Sequence, residues 1–529
     1  MRQIHVACGS LTLLLFTAAC GDSAPLYPPL PDSATGGTGA VDSTGATGAT
    51  DSPSTGGKSN GTGGKSSSAG GKSNASGGSM PTAGSAGTTA MTGDYCSQFA
   101  AGDEPPAPTV ACDLDNLTDG GVLTGDLMDK TLESGKFYTL KGVTRVLPGK
   151  TLTIPPCVVI KGQDKNAVLV MLAGGVGDPG NLCAYTPGTK PGPGAKLMAV
   201  GEPMAPIIFT SSKPKGSRAP GDWGGVLLLG NAHYNKATDN TLGQVEGLER
   251  IECYGWPTDE FDATDSTGSL AYVRIEYASR QTGEGNETNG LTLAALGSKT
   301  SVHHVMVSNS GDDCFEWFGG SVNVDHLISL NCDDDMFDSD NGYSGHAQFL
   351  FGRQFPTTTE TDSRGFEIDS TITTTLTTGA WSNFTVCGGG AADVNPIDQM
   401  RAGIVMRTAA AGSLINGFVT GFSGGGISLQ NGANTTVAYS SVFDNARTYG
   451  LNHVGGPDWL AKQKGNSAET PLGFCDCWAN PPAALPADPL AGTNPKGFGD
   501  ETASYQGAFA DTSPSSNWMT GLWVDWSSE

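Results

Sequence analysis

The chain has 529 residues, 77 of them Gly and 31 Pro, with 37% hydrophobic and 16% charged residues and a formal net charge of −24. Low charge with abundant Gly excludes a coiled coil or helical bundle, which draw on Ala, Glu, Lys and Leu. The acidic balance argues against a nucleic-acid partner, since binding phosphates needs Lys and Arg to release counterions, and against adsorption onto anionic lipid.

At the N-terminus, one Arg precedes the apolar stretch Val6–Phe16, followed by Thr17-Ala18-Ala19 and then Cys20. A membrane-spanning helix needs about 20 apolar residues, so residues 1–19 read as a signal peptide. The arrangement resembles the bacterial lipoprotein signal, in which the Cys after the small residues is lipidated; Thr17 stands where that family usually has Leu. The resemblance implies a lipid anchor on Cys20. Gly21 occupies the place of the Asp that retains such proteins in the inner membrane, which implies the outer membrane. Residues 20–95 show no hydrophobic periodicity and carry the repeat GGKSNGT, GGKSSSA, GGKSNAS over Gly56–Ser76. A heptad without an apolar position cannot form a coiled coil. This segment reads as a disordered tether with a reach of roughly 50 Å.

Residues 96–529 are expected to form the folded domain. Beyond Cys8 and Cys20 the chain has Cys96, Cys112, Cys157, Cys183, Cys253, Cys314, Cys332, Cys387, Cys475 and Cys477. That even, dispersed set suits disulfides in an oxidising compartment. Cys475-Asp476-Cys477 is too closely spaced for an ordinary zinc site. Short β-branched runs separated by Gly, Asn and Asp fill the domain, with no sustained helical stripe. The segment His304–Asp313 falls on His326–Asp335 at an offset of 22 residues, and Leu414–Phe422 falls on Thr436–Asp444 at the same offset. A constant period of this kind is one rung of a parallel β-solenoid. It puts Asn309 over Asn331, Asp312–Asp313 over Asp334–Asp335, and Cys314 and Cys332 on adjacent rungs, where they are expected to form a disulfide.

Several motifs then carry a resemblance. Leu140-Lys-Gly-Val143, Leu152–Gly162, Ala199–Ser211, Gly221-Asp-Trp-Gly-Gly-Val226, Leu270–Tyr277, Gly311–Gly320 and Asp338–Gly345 are similar to an uncharacterised family of secreted or lipid-anchored β-helix proteins of Gram-negative bacteria. Tyr505-Gln-Gly-Ala-Phe509 and Asn517-Trp518 resemble that family's closing motif. The resemblance covers residues 135–526 and implies an all-β fold, a right-handed parallel β-helix of about 22 residues per rung ending in a C-terminal cap. It implies no activity.

Chemistry concentrates in the acids Asp312, Asp313, Asp333, Asp334, Asp335, Asp338 and Asp340, with Glu316 and Asn341 nearby. Carboxylates stacked at about the 4.8 Å strand spacing raise one another's pKa unless a cation neutralises them. Ca²⁺, with about six to eight oxygen ligands, suits them, with Asp333, Asp334, Asp335, Asp338 and Asp340 as expected ligands. Asp and Asn capping turns is the structural alternative. As catalysts, Asp312, Asp313, Asp334 and Asp335 offer the acid pair of a glycosidase. Gly311-Asp-Asp-Cys314 resembles the Asp-Asp motif of polygalacturonases, but that family's other motifs are missing: Thr288-Asn289-Gly290 lacks an acid, and Gly345-His346-Ala347 is followed by no Arg-Ile-Lys. No Lys occurs from Ser301 to Ala461, which weakens a lyase. His304 and His326 should stack across rungs, as a surface ladder or a metal pair lacking a third ligand. Trp223, Trp317, Trp381, Trp518, Trp523 and Trp526 offer sugar platforms or core packing. The expected whole is a surface-displayed lipoprotein whose Ca²⁺-stabilised β-helix binds or scaffolds at the cell surface, a polysaccharide being the leading ligand. The alternatives are a glycoside hydrolase or a purely structural surface protein.

Overall fold

The computed structural model describes residues 101–527 except 176–182, 184–187, 236–241, 257–259, 284–285, 356–362, 372–374, 391–400, 451, 470–476, 479–491, 494, 496–498 and 512. Cys20, the signal and tether, Cys96 and Cys475 therefore lie outside the described residues. Within them the structure is a parallel β-helix. Short strands from Thr118–Leu127 to Ser441–Phe443 join into one 23-stranded sheet, each strand pairing in parallel with its counterpart in the next coil. No helix among the described residues is long and apolar enough to cross a membrane.

A coil's logic is clearest in the middle of the solenoid. A longer strand, such as Ser301–Ser308 or Val324–Leu330, is followed by a corner and a short strand, such as Phe315–Phe318 or Phe337–Asp340. The longer strand is bent at one residue of positive φ: Tyr272 (50°), His304 (51°), His326 (52°), Phe349 (59°), Asn383 (53°) and Asn416 (59°) in successive coils. The corner after it holds Asn309 and Asn331 at 52° and 53°. Asn tolerates this left-handed conformation, because its short polar side chain bonds locally. Asn331 Nδ2 donates to Asn309 Oδ1 at 3.1 Å across an offset of 22, as the sequence repeat requires.

Inward side chains stack into a continuous apolar core running from Leu123 to Leu460. Phe315 lies 5.6 Å from Phe337, and Phe337 lies 5.2 Å from Phe366. Trp223, Trp317, Trp381 and Trp523 are fully buried and serve packing, not sugar stacking.

The repeat holds in one pair of segments and slips in the other. Phe315 pairs with Phe337 as the 22-residue offset predicts, whereas Leu414 pairs with Val437 and Phe418 with Ser441, one residue beyond the expected register. Leu414 and Val437 are both fully buried. A one-residue slip would turn such side chains outward, so burial sets the register. Other coils are longer: Phe337 pairs with Phe366 and Ala347 with Trp381.

Disulfides join Cys112–Cys157, Cys183–Cys253, Cys314–Cys332 and Cys387–Cys477. The expected Cys314–Cys332 bridge links the residue before the short strand of one coil to the corner of the next, with Cα atoms 5.5 Å apart. The C-terminal segment runs along the side of the coils. Asn383 Nδ2 donates to the carbonyls of Ala503 and Tyr505, Arg274 Nη1 donates to that of Leu522, and Phe509, Met519 and Trp523 pack on Met306, Ile328 and Phe351.

Candidate functional site

The short strands place one polar column on the outside of the solenoid. Thr292, Glu316, Asp338 and Glu367 are register partners in four successive coils. Just before these strands a second column, tied by hydrogen bonds, runs Asp313, Asp335 and Arg364: the Asp335 N–H donates to Asp313 Oδ1 at 2.8 Å, and the Arg364 N–H donates to Asp335 Oδ1 at 2.6 Å. Asp313 and Asp335 thus cap the next coil's turn, the structural role that Asp at a corner commonly takes.

Two groups of carboxylates converge, each with one oxygen per residue within 4.8 Å of the others: Asp312, Asp313 and Asp334, and Asp313, Glu316 and Asp338. Asp313 belongs to both. Of the expected metal ligands, Asp334 and Asp338 stand in these groups, while Asp333, Asp335 and Asp340 stand beside them. Asp335 is engaged by Arg364, whose guanidinium lies 3.3 Å from Asp335 Oδ2 and 2.6 Å from Glu367 Oε2. Asp340 accepts from the Asn341 N–H at 2.5 Å and from the Thr371 hydroxyl. Of the expected catalytic acids, Asp312, Asp313 and Asp334 meet, and Asp335 faces the arginine.

Charge is unevenly compensated along the column. Ion pairs from Arg364 and Arg407 reach Asp334, Asp335, Glu367 and Asp369. Among the described residues no ion pair reaches Asp312, Asp313, Glu316 or Asp338. Burial, reinforced by repulsion from Asp334 at Asp312, from Asp338 at Asp313 and Glu316, and from Glu367 at Asp338, pushes all four carboxyls well above their ordinary range. Burial also lifts Asp340 to about 6.

Asn289 completes the site. It is 1% exposed, its Nδ2 donates to Glu316 Oε2, and its Oδ1 has no hydrogen-bond partner. Asp338 Oδ1 is likewise buried and unpartnered. An unsatisfied buried oxygen is costly, and a hard oxygen-seeking cation among these groups would satisfy it and neutralise the acids. Asp312, Asp313 and Asp334, and Asp313, Glu316 and Asp338, could therefore hold a metal ion, with Asn289 bonded to Glu316 beside them.

The sign of the pH response follows. In the folded chain these carboxyls keep protons that the unfolded chain has already released above the ordinary carboxylate range, so stability falls as pH rises towards neutrality. In chelator, the wild-type melting temperature is expected to drop from about pH 5 to about pH 7 more steeply than that of an Asp313→Asn/Asp338→Asn variant, histidine contributions being common to both. Parallel profiles would contradict the assignment.

Sequence reasoning missed Glu367 and Arg407 as members of the site. A 22-residue step from Asp338 lands on Glu360, whereas the column continues at Glu367 because that coil is longer. Asn289 stands in the sequence only as the middle of Thr288-Asn289-Gly290, a motif without an acid.

Comparison with known proteins places this coil architecture. No curated protein matches the chain. Among solved structures, full-length tailspike protein 2 from Escherichia coli O157:H7 bacteriophage CAB120 is 12% identical with a TM-score of 0.24, over 63% of this chain and 38% of that one. The enzymatically active domain of bacteriophage CBA120 tailspike protein 2 gives 12% and 0.23, over 63% and 42%. DFA-IIIase from Arthrobacter chlorophenolicus A6 in complex with GF2 gives 10% and 0.19, over 58% and 83%. The chain thus spans less than half the length of the tailspike chains it matches, and likenesses this distant say nothing of substrate. The family model described as pectate-lyase like beta helix domain is more direct, matching residues 122–454 and hence the coils that carry the acidic column. The chain belongs to the pectate-lyase-like β-helix domain family.

Proposed function

We propose that the protein is a surface-displayed lipoprotein whose β-helix holds Ca²⁺ in the acidic column and binds polysaccharide at the cell surface. The observation that carries the cation is the pair of carboxylate groups sharing Asp313 beside the unpartnered Asn289 oxygen. Acids this close hold one another protonated, whereas a bound cation lets them ionise together. Support for a glycan ligand comes from the family, whose name points to a polysaccharide-acting relative. Support for display at the outer membrane comes from Cys20 behind its run of small residues, Gly21 after it, and the Gly- and Ser-rich composition of the following segment.

The second reading is a glycoside hydrolase, favoured by the convergence of Asp312, Asp313 and Asp334. A carboxyl held protonated by burial is what a general acid needs. Against it, the Asp-Asp motif stands without the companion motifs of polygalacturonases, since Thr288-Asn289-Gly290 lacks an acid and no Arg-Ile-Lys follows Gly345-His346-Ala347. A panel of polysaccharides scored for retention and for product release separates the two. The binding reading expects at least one polysaccharide to be retained in Ca²⁺, freed by chelator, and not cleaved. Cleavage abolished by Asp313→Asn or Asp334→Asn would establish the hydrolase instead. Failure of every polysaccharide to be retained would overturn the glycan assignment.

A further inference from the structure

A second set of converging donors lies on the longer strands, apart from the acidic column. Adjacent residues of a strand point to opposite faces, so two consecutive histidines ordinarily cannot share a ligand. His304 escapes that rule. Its φ of +51° is the bend common to this level of the coils, and the strand register steps over it, pairing Ala271 with His303 and Val273 with Val305. The bend brings His303 Nδ1 and His304 Nδ1 to 3.1 Å from each other. In the next coil, Asp325 is the register partner of His303. One donor atom from each of His303, His304 and Asp325 lies within 4.8 Å of the other two.

The surroundings hold these donors in place. His326 Nδ1 lies 2.5 Å from Asp325 Oδ1, and its ring stacks on that of His304 at 4.3 Å and 13°. Tyr272 packs on the other side of His304 at 4.6 Å, and Phe349 packs beneath His326 at 4.7 Å. Trp518 and Trp523 of the C-terminal segment stand edge-on to the ladder, 5.0 Å from His326 and 5.5 Å from His304 respectively.

Two nitrogens bound tetrahedrally to one Zn²⁺ at about 2.0–2.1 Å stand about 3.3 Å apart, close to the spacing of the two imidazoles. A hydrogen bond between the rings explains their distance alone. It does not explain why a carboxylate converges as a third donor, steadied by a histidine, which is the outer-shell support typical of metal ligands. Imidazoles with one carboxylate select a transition metal over Ca²⁺. We infer that His303, His304 and Asp325 form a Zn²⁺-binding site with a fourth position open to water or a ligand, and that His326 orients Asp325.

The test is a titration of the full-length, chelator-stripped protein with Zn²⁺ in excess Ca²⁺, followed by calorimetry, with Co²⁺ as a spectroscopic substitute. One equivalent of Zn²⁺ should bind, and Co²⁺ should give tetrahedral visible absorption. His303→Gln and Asp325→Asn should each weaken Zn²⁺ at least tenfold. His326→Phe, which keeps a ring on the ladder but loses the contact to Asp325, should weaken it about 10–100-fold. Melting curves identify any variant that fails to fold, and the remaining variants then decide. Asp313→Asn/Asp338→Asn should bind Zn²⁺ as the wild type does, which separates this site from the acidic column. Absence of stoichiometric Zn²⁺ binding, equal affinity in the His303 and Asp325 variants, or loss of Zn²⁺ in the Asp313/Asp338 variant would overturn the inference.

Discussion

Replacing Arg364 by Met is expected to cost the fold about 3–5 kcal/mol near neutral pH, the usual penalty for leaving a buried charge without its partner. Arg364 is 3% exposed and sits between Asp335, at 3.3 Å, and Glu367, at 2.6 Å. Glu367 keeps a second partner, since Arg407 Nε lies 2.6 Å from its Oε1. The paired arginine at Asp335 is lost outright. Burial raises the Asp335 carboxyl well above its ordinary range, and the Arg364 guanidinium offsets only part of that rise. Without the arginine, Asp335 can take up a proton instead of remaining charged, so the loss should shrink in acid. Adding Asp335→Asn to Arg364→Met should recover much of the stability by removing the stranded charge. Denaturant unfolding of both variants is the check. A loss below about 1 kcal/mol for the single variant would show that the pair is not needed to keep the column in place.

Phe337→Ala should destabilise by a similar amount, about 3–5 kcal/mol, through the core and independently of charge. Phe337 is 1% exposed and lies between Phe315 and Phe366 of the neighbouring coils. The rungs above and below are fixed by their own hydrogen bonds, so the walls of the resulting cavity cannot close in, and the high end of the range applies. Phe337→Leu retains most of the volume and should cost clearly less. Denaturant midpoints at constant slope measure both. If Phe337→Ala loses no more than Phe337→Leu, the stack does not carry the load assigned to it.

The coil architecture was legible because stacking in register leaves a trace at fixed spacing. Asn309 over Asn331, Asp313 over Asp335 and Cys314 beside Cys332 all follow from one offset, and each contact is present. The same rule misplaced Leu414 by one residue, since nothing in that stretch of sequence marks the added residue that burial of Val437 demands. The acidic column was readable as a concentration of Asp, but its division was not. Arg364 and Glu367 enter from a coil whose length breaks the period, and they decide that Asp335 is compensated while Asp313 and Asp338 are not. The histidine ladder was expected from the offset of His304 and His326. The approach of His303 to His304 depends on a backbone bend at His304 that no residue pattern announces, because Tyr272, Phe349 and Asn383 occupy the same position.

In the proposed function a cation sits among Asp312, Asp313, Glu316, Asp334, Asp338 and Asn289. Thermal unfolding in Ca²⁺ and in chelator, for the wild type and for Asp313→Asn/Asp338→Asn, tests it most directly. Ca²⁺ at about 1,000 times its dissociation constant adds about 4 kcal/mol to a fold that binds it. The wild type should therefore melt well above its chelator value. The variant, relieved of mutual repulsion and robbed of ligands, should melt at one temperature in both buffers, above the wild type in chelator and below it in Ca²⁺. Wild-type curves that superimpose with and without Ca²⁺ would show that no such cation is bound.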